Sequence, residues 1–442
     1  MSSPNTLKPR PAYSGFDGQF IAGSWRPGHQ GETEVDINPY YSGEVLAETA
    51  MASAEDLDEA YRAADRAQAG WAALLAPERA VVMFRSVSIL EVRHGEIVDG
   101  LIREAGSTRY KAELEWQFFH SITVGASFPY RMEGTVLPLN ERGKDSRSYR
   151  QPLGVIGVIS PVNFPMHPSH RSIGPALALG NGVVVKPAPD TPVTGGLLIA
   201  KIYEEAGLPP GLLNVVIGPV KEIGDPFKLH PVPSLISFTG STPVGRHIGQ
   251  LAMQGPRIKR VSLELGGNAP FVVLDDADLD RAVPAAVAGR FLHQGQVCMS
   301  TNRFIVDAKV HDEFAGRFTE QVKALKRGDP SDPEVAIGPI INQKQVRSRL
   351  SYISSAREAE PGNWPAEIPR ARCCRRTCSP RSTTTCPWPR RRPSAGSRPS
   401  SRSAGKPRRC TSRTTRHTGC PAPCSPATRT AGCVLLLASA PG

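Results

Sequence analysis

Short apolar runs alternate with helical stretches between residues 153 and 252, and this alternation restricts the possible folds more than any other feature of the chain. The runs lie at 154–159, 183–185, 213–217 and 235–238. The first run is apolar throughout, as expected of a strand buried on both faces, and the other three runs predict further strands. The repeated β-α-β order predicts an α/β fold with an open, mostly parallel sheet and helices on both faces. Ligands of such sheets bind beyond the carboxyl ends of the strands.

The first 150 residues are predicted to combine short strands with helices. Frequent Gly and Pro in 18–50 are typical of short strands and turns. Ser53 is a good N-cap residue for a predicted helix that ends near Trp71. A second helix is predicted over 77–104, ending at Gly106. The pattern of 134–152 predicts an extended β-hairpin.

The formal net charge of +12 is unevenly distributed along the chain. Residues 371–442 contain fourteen Arg, one Lys and no Asp or Glu, so they contribute +15 and the rest of the chain is mildly acidic. This composition cannot bury enough apolar surface to offset the entropy of ordering.

Three interpretations of this tail compete: an Arg-rich nucleic-acid-binding arm, a metal site near His417, Cys420 and Cys424, and a GC-rich gene translated in a shifted reading frame. The cysteines lack paired zinc spacing, and few aromatic residues accompany the arginines. We therefore favour the shifted frame and expect no metal and no nucleic-acid partner.

Neither a signal peptide nor a membrane-spanning segment is predicted. The chain does not start with a basic region followed by an apolar one, and no apolar run approaches the ~20 residues that cross a bilayer. Cys298 is the only cysteine before residue 373, which argues against a disulfide framework. These features predict a cytoplasmic protein without a membrane partner.

Polar residues follow the predicted strands where ligands are expected to bind. Ser160, Pro161 and Asn163 follow the first strand, and the Asn163 amide could donate to an oxyanion. Turn capping explains a lone Asn before Phe-Pro equally well. Lys186 ends the second strand, where its cation could meet a ribose or a phosphate, or could simply be solvated.

The loop 238–245 joins a predicted strand to a helix and contains Gly240, Ser241 and Gly245. Free N–H groups and the helix dipole form an anion site at such a helix start, although the loop lacks the G-x-G-x-x-G fingerprint. Glu264 closes a further predicted strand before a double glycine. A carboxylate there could act as a general base toward water, or it could be an ordinary surface glutamate.

Cys298 follows Gln294, Gly295 and Gln296 in a turn-like stretch. A thiolate is a strong nucleophile whose reactivity depends on its surroundings. A lone cysteine in this setting is therefore a candidate for covalent catalysis. A buried structural cysteine is the commoner alternative, but the motifs upstream favour catalysis.

Taken together, these motifs resemble the aldehyde dehydrogenase superfamily. The Pro-x-Asn-Phe-Pro loop, the Lys-Pro strand end, the Gly-Ser-Thr-x-x-Gly turn, Glu-Leu-Gly-Gly and Gly-Gln-x-Cys occur in the family's order. The string Gly338-Pro339-Ile340 is also similar to a later family element. The resemblance covers about residues 18–358. The longer strings around Asn163 and Lys186 are most similar to the benzaldehyde/vanillin dehydrogenase branch.

The resemblance implies a dinucleotide-binding domain formed by 1–133 and 153–265, a bridging and oligomerisation hairpin at 134–152, and the N-terminal part of an α/β catalytic domain at 266–358. Residues 359–442 do not match the family and are expected to form a disordered tail. Family membership also implies a homodimer or a homotetramer.

The resemblance further implies NAD(P)-dependent oxidation of an aldehyde to the carboxylic acid. Its similarity to the benzaldehyde/vanillin branch implies that the aldehyde is aromatic. Cys298 would attack the aldehyde carbon, Asn163 and the Cys298 N–H would hold the oxyanion, and Glu264 would activate the water that hydrolyses the thioester. Phe164, with Trp116 or Phe118, would line the aldehyde tunnel, and Arg171 would meet a ring substituent. The implied cofactor-binding residues are Ser160, Pro161, Lys186, Pro189, Gly240, Ser241, Gly245 and Leu265.

Two departures from the family pattern affect these expectations. Members that prefer NAD often carry a glutamate three residues after the lysine, and Pro189 occupies that position, so we expect both NAD and NADP to be accepted. No Glu-x-Phe-Gly-Pro motif follows Gly338-Pro339, although the family's glutamate there binds the nicotinamide ribose. The hairpin and part of the core would then lack partners, which predicts a poorly folded chain with little or no activity.

Two other functions remain as alternatives. A cysteine-dependent acyltransferase or esterase would use Cys298 without a nucleotide, and cofactor binding separates it from a dehydrogenase. A non-enzymatic nucleic-acid binder would act through residues 371–442. Its binding would depend steeply on salt and would be lost when the tail is deleted.

Overall fold

The computed structural model describes residues 12–358 and 432–436. Short strands come first: β1 (Gln19–Ile21), β2 (Ser24–Arg26), β3 (Thr33–Ile37) and β4 (Val45–Ala50). Helices follow: α1 (Ala54–Ala73), α2 (Ala76–Val92), α3 (His94–Ala105) and α4 (Arg109–Thr123), which continues into a 3₁₀ segment at Val124–Arg131. Ser53 caps α1 as predicted, because its side chain accepts the Asp56 N–H and the Asp56 carboxylate accepts the Ser53 N–H.

The predicted helix over 77–104 is wrong in one respect, since it divides into α2 and α3 at Arg93. Arg93 has φ −98° and ψ 15°, and its guanidinium binds Glu96 at 2.7 Å and Glu205 at 2.9 Å. These contacts include a residue far along the chain, which helical periodicity cannot reveal. Gly106 ends α3 in a left-handed conformation with a φ of 63°, which confirms the predicted C-cap.

The predicted hairpin forms from β5 (Thr135–Leu137) and β6 (Ser146–Ser148), which pair antiparallel. Val136 and Leu137 are exposed, at 70% and 46%. The implied role of this hairpin in oligomerisation stays a prediction.

The α/β region then runs from residue 155 to residue 264. Its elements are β7 (Val155–Ile159), α5 (Met166–Ala178), β8 (Gly182–Lys186), a π-helical turn at Val193–Leu197, α6 (Leu198–Glu205), β9 (Leu213–Val215), a second π-helical turn at Val220–Gly224, α7 (Asp225–Leu229), β10 (Leu235–Thr239), α8 (Thr242–Ala252) and β11 (Arg260–Glu264). The four predicted strands are therefore all present.

These strands form a seven-stranded sheet in the order β11-β10-β7-β8-β9-β1-β2. The first five strands are parallel, and β1 and β2 extend the sheet antiparallel. This arrangement confirms the predicted open, mostly parallel sheet. The register pairs Ile159 with Lys186, Phe238 with Ile159, and Thr239 with Glu264, so the carboxyl ends of four strands meet at one edge.

Two apolar cores cover the two faces of this sheet. Side chains alternate along each strand, so Val183 and Val185 of β8 join one core while Val184 joins the other. The first core includes Leu101 and Leu177 from the helices on its side. In the second, buried Tyr61 donates its hydroxyl to the Phe227 carbonyl at 2.8 Å.

A second, smaller sheet follows β11. Its region contains β12 (Ala269–Val273), α9 (Leu279–Phe291), β13 (Thr301–Asp307), α10 (His311–Ala324), α11 (Gln343–Glu358) and β14 (Gly432–Leu436), and the sheet order is β12-β13-β14. Phe304, Phe314 and Phe318 pack together in its core.

One part of the tail, β14, pairs antiparallel with β13, and the expectation of a disordered tail stays a prediction. Residues 432–436 are the apolar end of an otherwise Arg-rich segment, and an exposed strand edge offers unpaired backbone groups to such a sequence. The other tail residues lie outside the described residues, together with the predictions of a shifted frame, a metal site and a nucleic-acid-binding arm. Within the described chain, no helix combines the length and the apolar character that crossing a bilayer requires.

Candidate active site

The sheet brings several of the predicted site residues to one edge. Ser160 directly follows β7, Lys186 ends β8, Gly240 follows β10, and Glu264 ends β11. The backbone N–H of Gly240 donates to the Glu264 carbonyl at 3.0 Å, and the N–H of Ser160 donates to the Lys186 carbonyl at 3.3 Å. The loops that follow these four strands are therefore fixed to one another before any side chain is considered.

Asn163 connects this edge to the segment before Cys298. Its Oδ1 accepts the backbone N–H of Phe164 at 3.0 Å, which is the turn-capping contact considered above. Its Nδ2 donates to the carbonyl of Gln296 at 2.7 Å. Because an amide nitrogen carries two N–H groups, one of them is left for another acceptor. Asn163 can therefore cap the turn through Oδ1 and also donate an N–H to an oxyanion.

The turn that presents Cys298 begins with strained backbone. His293, Gln294 and Gly295 have φ values of 50°, 58° and 73°, and a left-handed conformation costs a non-glycine residue roughly 1–2 kcal/mol. The Gln294 amide donates to the carbonyls of Gly106 and Pro339, at 3.3 and 3.1 Å. These contacts hold the strained residues in place.

Residues further along the chain, near 338–341, also hold this turn. Gln296 Oε1 accepts the backbone N–H of Ile341 at 3.1 Å. A Cβ added at Gly338 would come within 2.6 Å of the Gln294 amide nitrogen. The Gly-Pro-Ile string at 338–340 therefore packs against the turn, and the thiol-bearing Cys298 is exposed at its tip.

The loop after Glu264 lies against Cys298. A Cβ at Gly267 would be 2.2 Å from the Cys298 carbonyl oxygen, so only glycine permits this approach. Glu264 therefore precedes by three residues Gly267, which lies against the Cys298 backbone. The structure thus brings Cys298, Asn163 and the Glu264 loop together, as the sequence predicted.

The Glu264 carboxylate is exposed and pairs with a cation. Arg171 Nη2 lies 3.5 Å from Glu264 Oε1, and both side chains are about half exposed. The Arg171 guanidinium thus contacts the proposed base, and the suggestion that Arg171 meets a ring substituent stays a prediction. Sequence spacing could not show this contact, because the two residues belong to different elements.

Two buried polar groups lie at the carboxyl ends of β7 and β8. Ser160 is 5% exposed, and within residues 12–358 its hydroxyl has no hydrogen-bond partner. Pro161 next to it is buried. Burial, together with repulsion from Lys228, lowers the pKa of Lys186 to about 8, and Glu34 opposes this shift.

The start of α8 offers backbone to a ligand. Ser241 is its N-cap residue and makes no capping bond through its side chain. A Cβ at Gly245 would meet Leu265 Cδ2 at 2.4 Å, and one at Gly240 would meet the Phe238 ring at 2.5 Å. These glycines allow close packing at the helix start, whose N–H groups favour an anion. Pro189, which follows β8, is exposed.

The predicted substrate residues Phe164 and Phe118 pack against different partners. Phe164 is 5% exposed and packs between the Lys111 ammonium, 4.2 Å from the ring centroid, and the His293 ring, at 6.1 Å. The Phe118 ring lies 5.4 Å from that of His167 on α5.

Trp116 is placed differently from these two rings. It packs against His94 at 4.4 Å and His120 at 5.2 Å, rather than against Phe164. Successive residues on a helix point in different directions. Aromatic residues that are close together in the sequence therefore pack against different neighbours.

Sequence reasoning missed the buried charges behind this site. Lys111 and Glu115 on α4 form an ion pair with no solvent exposure. His293 is also buried, and burial, Lys111 and Arg349 hold its pKa well below the usual range, so its imidazole is neutral. The i, i+4 spacing of Lys111 and Glu115 was a signal for a pair, but not for its burial.

Comparison with known proteins agrees with this geometry. The model of the aldehyde dehydrogenase family matches residues 25–361. A vanillin dehydrogenase from Corynebacterium glutamicum is 53% identical over 349 residues, which are 78% of this chain and 72% of that protein.

Solved structures give the same result. The crystal structure of a NAD-dependent benzaldehyde dehydrogenase from Corynebacterium glutamicum is similar with a TM-score of 0.75 and 52% identity, covering 78% of this chain and 75% of that one. An NADP-dependent enzyme from E. coli has a TM-score of 0.75 at 36% identity, covering 77% and 70%. The strand-end residues, the strained turn before Cys298 and these likenesses lead to one conclusion: the chain belongs to the aldehyde dehydrogenase family.

Proposed function

We propose that this chain oxidises aromatic aldehydes to carboxylic acids, with Cys298 as the nucleophile and a nicotinamide dinucleotide as the hydride acceptor. The observation that carries the proposal is the convergence on one turn. Asn163 binds the carbonyl of Gln296, and Gly267 packs against the carbonyl of Cys298. An amide donor and a loop carrying a carboxylate therefore flank an exposed thiol.

The residues present fit a dinucleotide. The unpartnered Ser160 hydroxyl and the buried Lys186 ammonium offer a donor and a cation at the strand ends, within residues 12–358. The backbone at Gly240, Ser241 and Gly245 would hold the pyrophosphate at the start of α8, with Leu265 packed on Gly245. When bound, the nicotinamide ring would accept a hydride from the substrate.

The chain's own residues would divide the work as follows. The Cys298 thiolate bonds to the carbonyl carbon. The free N–H of Asn163 and the backbone N–H of Cys298 stabilise the resulting oxyanion. After hydride loss a thioester remains on Cys298. Glu264 then removes a proton from the water that hydrolyses it, which requires the carboxylate to leave its 3.5 Å contact with Arg171.

Aromatic substrates are proposed on two grounds. The related proteins are named for vanillin and benzaldehyde, and aromatic rings lie on both sides of the catalytic loop, with Phe118 against His167 of α5 and Phe164 against His293. Aromatic rings pack favourably on one another, by about 0.5–1.5 kcal/mol beyond their area. We expect a higher kcat/KM with benzaldehyde than with an aliphatic aldehyde of similar size.

Use of both NAD and NADP is proposed from Pro189. This exposed residue follows β8 without a carboxylate that would repel a 2′-phosphate. Rates with the two cofactors at equal concentration test the idea, and strict use of NAD would contradict it.

The function is tested by incubating the full chain with benzaldehyde and NAD and measuring benzoic acid together with reduced nicotinamide. Equal amounts of the two products are expected. Little or no turnover is expected, because the Glu-x-Phe-Gly-Pro motif is missing, and this stays a prediction. Benzoic acid formed without nicotinamide reduction, or no binding of a nicotinamide cofactor by the chain, would contradict the proposal.

Replacing Asn163 by Ala should lower kcat by about 10²–10³-fold, because one oxyanion donor is lost. Its bond to the Gln296 carbonyl is lost as well. The measurement is the rate of the first turnover with benzaldehyde. Asn163→Asp is the matched control, since it keeps the size and the Phe164 contact but not the N–H donor. A decrease of less than about threefold in Asn163→Ala would refute the oxyanion role.

Cofactor affinity should fall as the pH rises through about 8, because Lys186 then loses its proton. A neutral amine no longer attracts an anionic cofactor, and the effect should be larger for NADP, which carries an additional phosphate. Fluorescence titration of the protein with each cofactor across this range measures it. Lys186→Met should remove the pH dependence, and an unchanged profile in that variant would exclude Lys186 as its origin.

A further inference from the structure

A buried ion pair lies beside the loop that carries Asn163, and the steps proposed above do not use it. Lys111 and Glu115 are one turn apart on α4, and neither side chain is exposed. The Lys111 ammonium binds Glu115 Oε2 and also donates to Ser107 Oγ at 2.9 Å. Burying two charges costs desolvation energy that apolar side chains would not cost. The other contacts of the Lys111–Glu115 pair therefore indicate what it does in the fold.

Glu115 fixes the start of α5 with its other oxygen. Oε1 accepts the backbone N–H groups of Met166 and His167, at 3.0 and 3.1 Å. The residue at the N-cap of α5 is Pro165, which makes no side-chain capping bond. Glu115 therefore supplies from another helix the acceptor that this helix start needs, and its negative charge is favourable at the positive end of the dipole.

Lys111 fixes the ring next to Asn163. Its ammonium lies 4.2 Å from the centroid of the Phe164 ring, and such contacts are strongest where water is excluded. The ring of neutral His293, from the strained turn before Cys298, packs on Phe164 at 6.1 Å. Phe164 is thereby held between α4 and the turn that leads to the thiol.

We propose that the Lys111–Glu115 pair positions the catalytic loop: Glu115 holds the start of α5, Lys111 holds the ring of Phe164, and together they keep the Asn163 amide against the turn that carries Cys298. Both are positioning residues, because their contacts are with the loop and not with the reacting atoms. The inference rests on the proposed function and adds the residues that orient its oxyanion donor.

The test is a double-mutant cycle in the full chain with Lys111→Met, Glu115→Gln and both together. Each single variant leaves one buried charge unpaired, so each should lower the unfolding temperature. The double variant removes both charges, and the amide introduced by Glu115→Gln still offers an oxygen to the start of α5, so the unfolding temperature should recover. Its kcat with benzaldehyde should nevertheless stay about tenfold low, because small errors in orientation are costly and no ammonium holds Phe164.

Amide hydrogen exchange supplies a readout that does not need turnover. Peptides covering 160–168 and 293–300 should exchange faster in Lys111→Met and in the double variant. The matched control is Arg79→Met, which removes a buried cation bonded to the Ala178 carbonyl at the other end of α5. It should lower the unfolding temperature without accelerating exchange in those two peptides and without lowering kcat tenfold.

The proposal is overturned if kcat and exchange in the double variant recover together with the unfolding temperature, since the pair would then be only structural. It is equally overturned if the single variants match the unsubstituted chain in both readouts. Failure of the proposed function would look different: the unsubstituted chain would itself bind no nicotinamide cofactor, whereas the exchange comparison would still decide whether the pair holds the loop.

Discussion

Replacing Cys298 by Ser should lower the rate of aldehyde oxidation by about 10³-fold or more, because a hydroxyl without an adjacent base is a far weaker nucleophile than a thiolate. The residue is exposed at the tip of a turn. The substitution should therefore leave the core, and with it the unfolding temperature, unchanged. Cofactor affinity should also persist, because the residues proposed to hold the cofactor lie on other loops.

The measurement is the initial rate of nicotinamide reduction with benzaldehyde, accompanied by a cofactor titration of the same variant. Cys386→Ser is the matched control, since it removes a thiol from the tail and should leave the rate unchanged. Oxidation at more than about a tenth of the original rate in Cys298→Ser would remove the thiol from the mechanism.

The same pair of measurements separates the alternative enzyme class. A cysteine-dependent esterase or acyltransferase would also lose activity in Cys298→Ser, but the unsubstituted chain would not bind a nicotinamide cofactor. Cofactor binding by the unsubstituted chain, retained in the variant, is what a dehydrogenase requires. The nucleic-acid-binding alternative concerns residues 371–442, of which the structure describes only 432–436, and salt-dependent binding before and after deletion of 371–442 tests it.

Replacing Glu264 by Gln should separate the two halves of the reaction. Hydride transfer needs no proton removal by this residue, so one equivalent of reduced nicotinamide should still form in a burst. Hydrolysis of the thioester should then be slower by about 10²–10⁴-fold, the usual contribution of a general base. Steady-state turnover should fall by the same factor.

Rapid mixing with benzaldehyde and NAD measures the burst and the later steady rate in one trace. Asp276→Asn is the matched control, because it neutralises an exposed carboxylate of the second sheet region and should affect neither phase. If Glu264→Gln loses the burst and the steady rate equally, the carboxylate acts before hydride transfer and its assigned role is wrong.

The sequence was sufficient to predict the sheet and the position of the site. Strands buried on both faces are mostly apolar, so β7 and β8 could be located from their residues alone, and the short apolar run at 235–238 located β10. Parallel order then required their carboxyl ends to meet, which placed Lys186 and Glu264 at one edge. The family resemblance added the roles of these residues, which periodicity does not contain.

Contacts between distant elements could not be predicted in the same way. Gly295 signals a turn, but nothing local indicates that His293 and Gln294 also adopt left-handed backbone, because Gly106 and Pro339 stabilise them from elsewhere. The pairing of Arg171 with Glu264 likewise joins two different elements, α5 and β11.

The central claim is that a substrate acyl group becomes bonded to Cys298, and mass spectrometry of Glu264→Gln after one turnover tests it most directly. With benzaldehyde and NAD present, the account predicts a benzoyl group on the peptide that contains Cys298, in an amount equal to the burst of reduced nicotinamide. Reduced nicotinamide formed with that peptide unmodified, or a benzoyl group on another residue, would contradict it.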